Sequence, residues 1–432
     1  MKIAVVALGK IGLPLAVQFA KKGHHVIGCD VNQNTVDLVN AGTEPFPGEA
    51  HLDHYLKEVV ASGHLTATTD TTAAVAQSDA VVVVVPLFVD NDGVPDFGWM
   101  DDATVKIAAG LKPGTLVSYE TTLPVGTTRT RFAPALEKGS GLVAGKDFSL
   151  VFSPERVLTG RVFADLRKYP KLVGGIDEKS TAHGIEFYQA VLDFDDRPDL
   201  TEPNGVWNLL TAEASEMAKL AETTYRDVNI ALANQFAIFA EGANIDIAKV
   251  IAASNSQPYS HIHQPGIAVG GHCIPIYPRF YLWNDPEATV VRAAREANAA
   301  MPAHAVSLLK NALGSLQGKK VAVLGISYRG GVKESAFSGV FGTVAALTAQ
   351  GAEVLVHDPM YTDEESTRLG FTPYHLGESV DGLILQADHK EYKLLSSANF
   401  PGVAAVVDGR RTLDRTQFAG VDFRVIGAPA NQ

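Results

Sequence analysis

Cysteine is nearly absent from this chain. There are two in 432 residues, Cys29 and Cys273, far apart in sequence, which excludes a disulfide framework or a cysteine-rich zinc centre and leaves each as buried filler or a reactive thiol. Basic charge is also in deficit: 36 Lys and Arg against 48 Asp and Glu give a net charge of −12, the wrong sign for non-specific nucleic-acid binding. Long apolar runs are missing too. The longest, 80–85 extended through Pro86 to 89, is about half of the ~20 residues a membrane helix needs. Lys10 and Pro14 break the apolar opening that follows Lys2, and no small-residue cleavage site comes after it, so no export signal is expected and the chain reads as cytoplasmic. No low-complexity or charge-block segment occurs.

What is present is enough hydrophobic sequence, 46%, to bury large cores, and a length that predicts two or three domains. A β-rich run at 2–6, a glycine-bearing turn at 7–12, an amphipathic stretch at 13–22 and a second run at 24–28 ending at Asp30 predict strand, turn, helix, strand. The β-branched run 79–86 and the segments 115–119 and 149–152 read as strands buried on both faces. The first ~200 residues therefore predict an α/β doubly wound parallel sheet. Residues 207–241 hold neither Gly nor Pro and predict one long helix, stopped at Gly242. A shorter helix at 245–253, a loop at 255–271 and a helical stretch at 287–313, split by Pro302, are expected next. Residues 319–325, 337–350 and 353–358 echo the opening βαβ unit. The expected organisation is two Rossmann-like sheets joined by a long central helix, with segments 1–203, 204–313 and 314–432.

The opening turn Ala7-Leu8-Gly9-Lys10-Ile11-Gly12 matches GxGxxG with Ala first. Gly9 suits close approach of a pyrophosphate, and Gly12 suits tight strand–helix packing. Asp30 stands where a carboxylate accepts from both ribose hydroxyls and repels an extra phosphate, so NAD is the expected cofactor. Cys273 lies in Gly270-Gly271-His272-Cys273-Ile274-Pro275, a loop whose glycines let backbone approach a ligand. His261, His263 and His272 beside Cys273 fit no tight zinc spacing, and no metal is expected. Lys219, Thr223 and Arg226 fall on one helix face, which points at an active site or at water.

These motifs together resemble the nucleotide-sugar 6-dehydrogenases: the Gly270–Pro275 loop, Ser153-Pro154-Glu155-Arg156, the run from Glu120 to Thr128 and the run from Arg226 to Ala231. The resemblance covers essentially the whole chain, and its motif style is nearer the N-acetylhexosamine branch than the UDP-glucose branch. It implies two NAD-dependent hydride transfers that turn a C6 alcohol into a carboxylate. Cys273 would form a thiohemiacetal and then a thioester, Lys219 would stabilise charge on the C6 oxygen, and Glu155 and Thr122 would position or activate the hydrolytic water. The resemblance also assigns Gly9, Lys10, Ile11, Gly12, Asp30, Pro86 and Thr122 to NAD. To the nucleotide-diphosphate sugar it assigns Glu155, Lys219, Thr223, Tyr259, Gly270, Gly271, Arg329 and Lys333, with Arg410 beside them. It implies a homodimer or a larger homo-oligomer.

Three positions depart from the family pattern. Tyr277 stands where the family usually carries the Asp that serves hydrolysis, Thr223 where it carries Asn, and Gln257-Pro258-Tyr259 where the N-acetylhexosamine branch tends to carry His-Pro-Arg. UDP- or TDP-glucose is therefore a second substrate reading. The same residues are also compatible with a two-electron hydroxyacid-type dehydrogenase and with a sugar-nucleotide binding protein without turnover.

Overall fold

A computed structural model of the chain describes residues 1–90 and 93–429. The chain folds as two compact units, Met1–Ala221 and a second from Glu222 onward.

The sheet of the first unit uses β1 Lys2–Val6, β2 His25–Cys29, β3 Leu65–Thr68, β4 Ala80–Val83, β5 Leu116–Tyr119, β6 Ser149–Phe152, β7 Lys171–Gly175 and β8 Val206–Thr211. They lie in the order β3-β2-β1-β4-β5-β6-β7-β8. The first six are parallel. All four residues of β4 are buried, and each fully buried valine there contributes about 1.5–3 kcal/mol. The sheet is not wholly parallel as predicted: β7 runs antiparallel to β6. The connection 153–170, which carries the short helix Val162–Lys168, is long enough for a parallel crossover; the direction is set instead by the pairing of Val151 with Gly175 and Phe152 with Gly174.

The second correction is at the long helix. Residues 207–211 are not helical; they belong to β8, which pairs with β7. Pairing overrides helix propensity here, and Gly174 in β7 makes room for it, since a Cβ there would come within 1.9 Å of the Thr211 oxygen. The helix itself runs Ala212–Gly242, about 46 Å at 1.5 Å per residue. The Thr211 hydroxyl accepts from the Ala214 N–H and caps its start.

In the second unit β9 Lys320–Leu324, β10 Glu353–His357, β11 Gly382–Leu385, β12 Ala405–Asp408 and β13 Asp422–Val425 form a parallel sheet in the order β10-β9-β11-β12-β13. This is the second doubly wound order expected from the sequence echo. The helix Thr289–Leu313 continues through Pro302 rather than splitting. Pro302 and Met301 are buried in it, and Gly342 opposite leaves the ring its space: a Cβ there would stand 3.3 Å from it. Packing on both sides outweighs the lost backbone hydrogen bond. Among the described residues no helix is long and apolar enough to cross a membrane.

Candidate active site

In the first unit the predicted residues collect where adjacent parallel strands β2, β1, β4, β5 and β6 end, the edge at which doubly wound sheets bind ligands. Ala7, Gly9 and Gly12 follow β1. Ala7 takes φ +76°, which turns its carbonyl toward the helix Gly12–Lys21, so a Cβ on Gly12 would lie 1.9 Å from that oxygen. Nothing lies within 4 Å of a Cβ built on Gly9. No side chain caps the helix start at Ile11, and Lys10 is exposed. An open glycine before an uncapped helix start fits a dinucleotide pyrophosphate. Asp30, at the end of β2, is only partly buried. Its carboxylate accepts from the Leu8 N–H at 2.9 Å and the Asn32 N–H at 2.9 Å, so it also braces the turn.

Past β4, the Val85 carbonyl accepts from the Thr121 hydroxyl at 2.7 Å. This ties the segment carrying Pro86 to the loop carrying Thr122, which is buried. That loop is held from its far end by Glu216 of the long helix, whose carboxyl accepts from the Gly126 N–H at 2.5 Å, the Thr128 N–H at 2.9 Å and the Thr128 hydroxyl at 2.6 Å. Burial pushes Glu216 up to about 7.

Glu155, just past β6, does not stand alone. Lys171 of β7 donates to Glu155 Oε2 at 3.0 Å and to Glu120 Oε2 at 2.7 Å. Tyr188 donates to Glu120 Oε1 at 2.6 Å, and its hydroxyl also meets that of Ser118 at 2.6 Å. Burial pushes Glu120 up to about 7 against the pull of Lys171. Burial also works to raise Glu155, but Lys171, the Arg156 N–H and the Lys219 charge outweigh it and hold that carboxyl below its ordinary range. Lys219 is buried on the long helix, as is Thr223 one turn on.

The second unit carries the cysteine loop, draped over the carboxyl ends of β9, β11 and β12. The Gly271 N–H donates to the Ala336 carbonyl at 2.9 Å. Arg410 donates to the carbonyls of Gln386 and Ala268, both at 3.1 Å, tying sheet to loop. The space at Gly270 and Gly271 is taken by Tyr328: a Cβ on Gly270 would lie 2.6 Å from the Tyr328 Cβ, and Gly271 has φ +93°. Upstream, Asn229 reads the backbone of the loop like a strand, donating to the His261 carbonyl at 2.7 Å and accepting from the His263 N–H at 2.9 Å. Asn255 does the same for Ile262, at 2.9 and 2.8 Å. Tyr259 projects from this clasped loop, 92% exposed.

Cys273 is exposed, whereas Cys29 is buried and its thiol is pushed up to about 12 by burial. The Cys273 thiol lies 3.7 Å from the Tyr277 hydroxyl, and the Cys273 carbonyl accepts from the Tyr277 N–H at 2.9 Å. His272 pairs with Glu334 at 3.2 Å, and His263 meets Tyr225 edge-on. Among the described residues no three His, Cys, Asp or Glu side chains gather as a metal centre requires. Of the two basic residues predicted near the nucleotide, Arg329 donates to the Tyr328 hydroxyl at 3.2 Å, and Lys333 pairs with Glu365 at 2.6 Å.

Sequence reasoning missed Glu120 and Glu216 as individual residues, and it missed Lys171, Tyr188, Asn229 and Asn255 altogether or left them without a role. Signals existed. Lys171 opens an otherwise apolar run, Lys171-Leu172-Val173, and Glu216 sits three residues before Lys219 on the same helix face.

Three consecutive segments match the UDP-glucose/GDP-mannose dehydrogenase family: residues 1–192 its NAD binding domain, 213–300 its central domain and 322–415 its UDP binding domain. The chain is 34% identical over 438 residues to a UDP-N-acetyl-D-mannosamine dehydrogenase of Pyrococcus horikoshii, spanning 99% of each. A solved structure of UDP-D-ManNAc dehydrogenase from Pyrococcus horikoshii superposes with a TM-score of 0.87 at 32% identity, covering 99% of each chain. A UDP-glucose dehydrogenase from Pyrobaculum islandicum does so at 0.85 and 26%, covering 99% of this chain and 98% of the other. With its glycine turn, its carboxylate–lysine cluster and its exposed loop cysteine, the chain belongs to the UDP-glucose/GDP-mannose dehydrogenase family and is an NAD-dependent nucleotide-sugar dehydrogenase.

Proposed function

We propose that this enzyme carries out the four-electron oxidation of the C6 alcohol of a UDP-N-acetylhexosamine, of the UDP-N-acetylmannosamine type, to the uronate, with Cys273 as the covalent nucleophile. The observation that carries the reading is the contrast between the two thiols: Cys29 is sealed in the first sheet, while Cys273 is exposed on a loop beside a tyrosine hydroxyl. The sugar assignment is supported by the Pyrococcus relative, whose name is UDP-N-acetyl-D-mannosamine dehydrogenase.

Gly9, Lys10, Ile11, Gly12, Asp30, Pro86 and Thr122 would hold NAD, which when bound would accept the hydrides. The Cys273 thiol adds to the C6 aldehyde carbon, forming a C–S bond as the S–H proton passes to the carbonyl oxygen, and the aldehyde is never released. After the second oxidation the thioester is attacked by water, the C–S bond breaks and the thiol is restored. Lys219 stabilises the oxygen as it gains charge. Glu155, held as a carboxylate, takes the proton of the attacking water, and Thr122 orients that water. Thr223, Tyr259, Gly270, Gly271, Arg329 and Lys333 contact the sugar nucleotide. Segment 1–203 binds NAD, 204–313 carries the cysteine loop and dimerises, and 314–432 binds the nucleotide.

The enzyme works in the cytoplasm as a homodimer or larger homo-oligomer. The self-association is supported by exposed apolar residues on the long helix, Leu232, Phe236 and Phe239, the last 70% exposed.

The test is NADH yield per molecule of limiting sugar nucleotide, with mass detection of product, on UDP-N-acetylmannosamine, UDP-N-acetylglucosamine, UDP-glucose and TDP-glucose. Two NADH and a uronate from the N-acetylmannosamine substrate are expected. Two NADH from a glucose substrate alone would move the enzyme to the glucose branch. One NADH would favour the two-electron reading, and tight binding without NADH the binding-protein reading.

A further inference from the structure

Lys171, Glu120 and Glu155 form a buried cluster in which one ammonium is shared by two carboxylates, and its members differ in exposure. The side chains of Lys171 and Glu120 are 4% and 0% exposed, while Glu155 keeps 11% at the outer end. Their partners differ in kind as well. Glu155 is met by the Lys171 ammonium and, at 2.7 Å, by the Arg156 N–H, groups that only donate, so its bonds are complete only when it is ionised. Glu120 is met by Lys171 and by the Tyr188 hydroxyl, which in turn meets Ser118. A hydroxyl chain donates or accepts, so Glu120 keeps partners in either protonation state.

We propose that Lys171, braced from behind by Glu120, is the positioning residue of the reaction: it fixes the orientation of Glu155 and keeps that residue a carboxylate facing the reacting carbon. The inference rests on the reading that Glu155 takes the proton of the hydrolytic water. The charged and titratable groups facing the pair are Glu120, Tyr188, Arg156 and Lys219. Of these only Glu120 adds negative charge near neutrality. Removing Lys171 therefore leaves Glu155 buried without its main cation, whereas Glu120, neutral below about 7, already leaves Lys171 to Glu155 in acid. Only the first change moves the acid limb.

The experiment is the pH dependence of kcat for Lys171→Met, Glu120→Gln, Glu155→Gln and the double variant Glu155→Gln/Lys171→Met, each with its sugar-nucleotide KM. Glu155→Gln is expected to lower kcat at least a hundredfold. Lys171→Met should raise the ratio of kcat at pH 8 to kcat at pH 6 at least tenfold over the unaltered enzyme, with KM changed less than threefold. Glu120→Gln, which fixes the neutral form Glu120 already takes below about 7, should keep that ratio within threefold of the unaltered enzyme's. In the double variant the lysine change should cost less than threefold beyond Glu155→Gln. If Lys171→Met fails to fold, Lys171→Gln is read in its place and should show the same rise in the ratio, while Lys171→Arg, which keeps the cation, should not. If Glu155→Gln costs less than tenfold, the reading of Glu155 falls and the inference with it. If Glu155→Gln is severe but the lysine variant leaves the pH profile unmoved, or the lysine effect multiplies in the double variant, the inference alone is overturned.

Discussion

The Tyr277 hydroxyl stands 3.7 Å from the Cys273 sulfur, one helical turn further along the chain and steadied by stacking on Phe280. A phenol at that place accepts from the thiol and donates to the thiolate. Tyr277→Phe should therefore slow alkylation of Cys273 by iodoacetamide at pH 7 about fivefold, the weight of one hydrogen bond of ~1 kcal/mol. Native enzyme should lose one thiol to the reagent and denatured enzyme two, because Cys29 is only 1% exposed. An unchanged alkylation rate would show that the hydroxyl does not serve the thiolate.

Two glycines of the opening turn should separate folding from cofactor binding. A methyl on Gly12 would meet the Ala7 oxygen at 1.9 Å, and one on Gly9 meets nothing within 4 Å. Gly12→Ala is expected to lower the thermal midpoint of the free enzyme, with a cost of about 2 kcal/mol or more. Gly9→Ala should leave that midpoint unchanged and weaken NAD binding about tenfold, read by titration of the free enzyme. Equal midpoints for the two variants would contradict this division.

Asp30 holds the turn through the Leu8 N–H and is the carboxylate proposed to accept from the ribose hydroxyls. Asp30→Asn keeps an acceptor for the turn but removes the negative charge that repels an extra phosphate. NAD affinity should fall about tenfold and the preference for NAD over NADP should shrink by more, measured as the two kcat/KM values. A preference unchanged from the unaltered enzyme would assign the discrimination elsewhere.

Glu216 holds its proton to higher pH in the fold, up to about 7, than in the unfolded chain, where the ordinary value is 4.5. As pH rises through that window the unfolded chain releases its proton first, so stability is fully present below about 4.5 and is lost by about 7. The loss is roughly 3 kcal/mol. Glu216→Gln should narrow the gap between thermal midpoints at pH 5 and pH 8. A gap as wide as before would mean that other groups carry the pH dependence.

Much of the fold was legible because it rests on local patterns. The run 149–152 was read as the strand that forms, Ser149–Phe152, and the glycine turn, Asp30 and the second βαβ unit were all placed by spacing. The strand at 206–211 was not legible, because its pairing with β7 is a long-range contact that overrides the helical composition of the segment. Pro302 misled for the same reason: a local rule against proline gave way to a space cleared by Gly342, forty residues on.

The sequence by itself determined which reactive groups the chain carries, a glycine turn with its acid and a cysteine in a glycine loop, since residue type and short spacing are local properties. Only the tertiary structure decided how those groups are held. Lys171 between Glu120 and Glu155, and Glu216 under the Thr122 loop, bring together positions 16 to 90 residues apart. Burial and pairing, not identity, set whether a carboxyl is a base, a brace or a proton store.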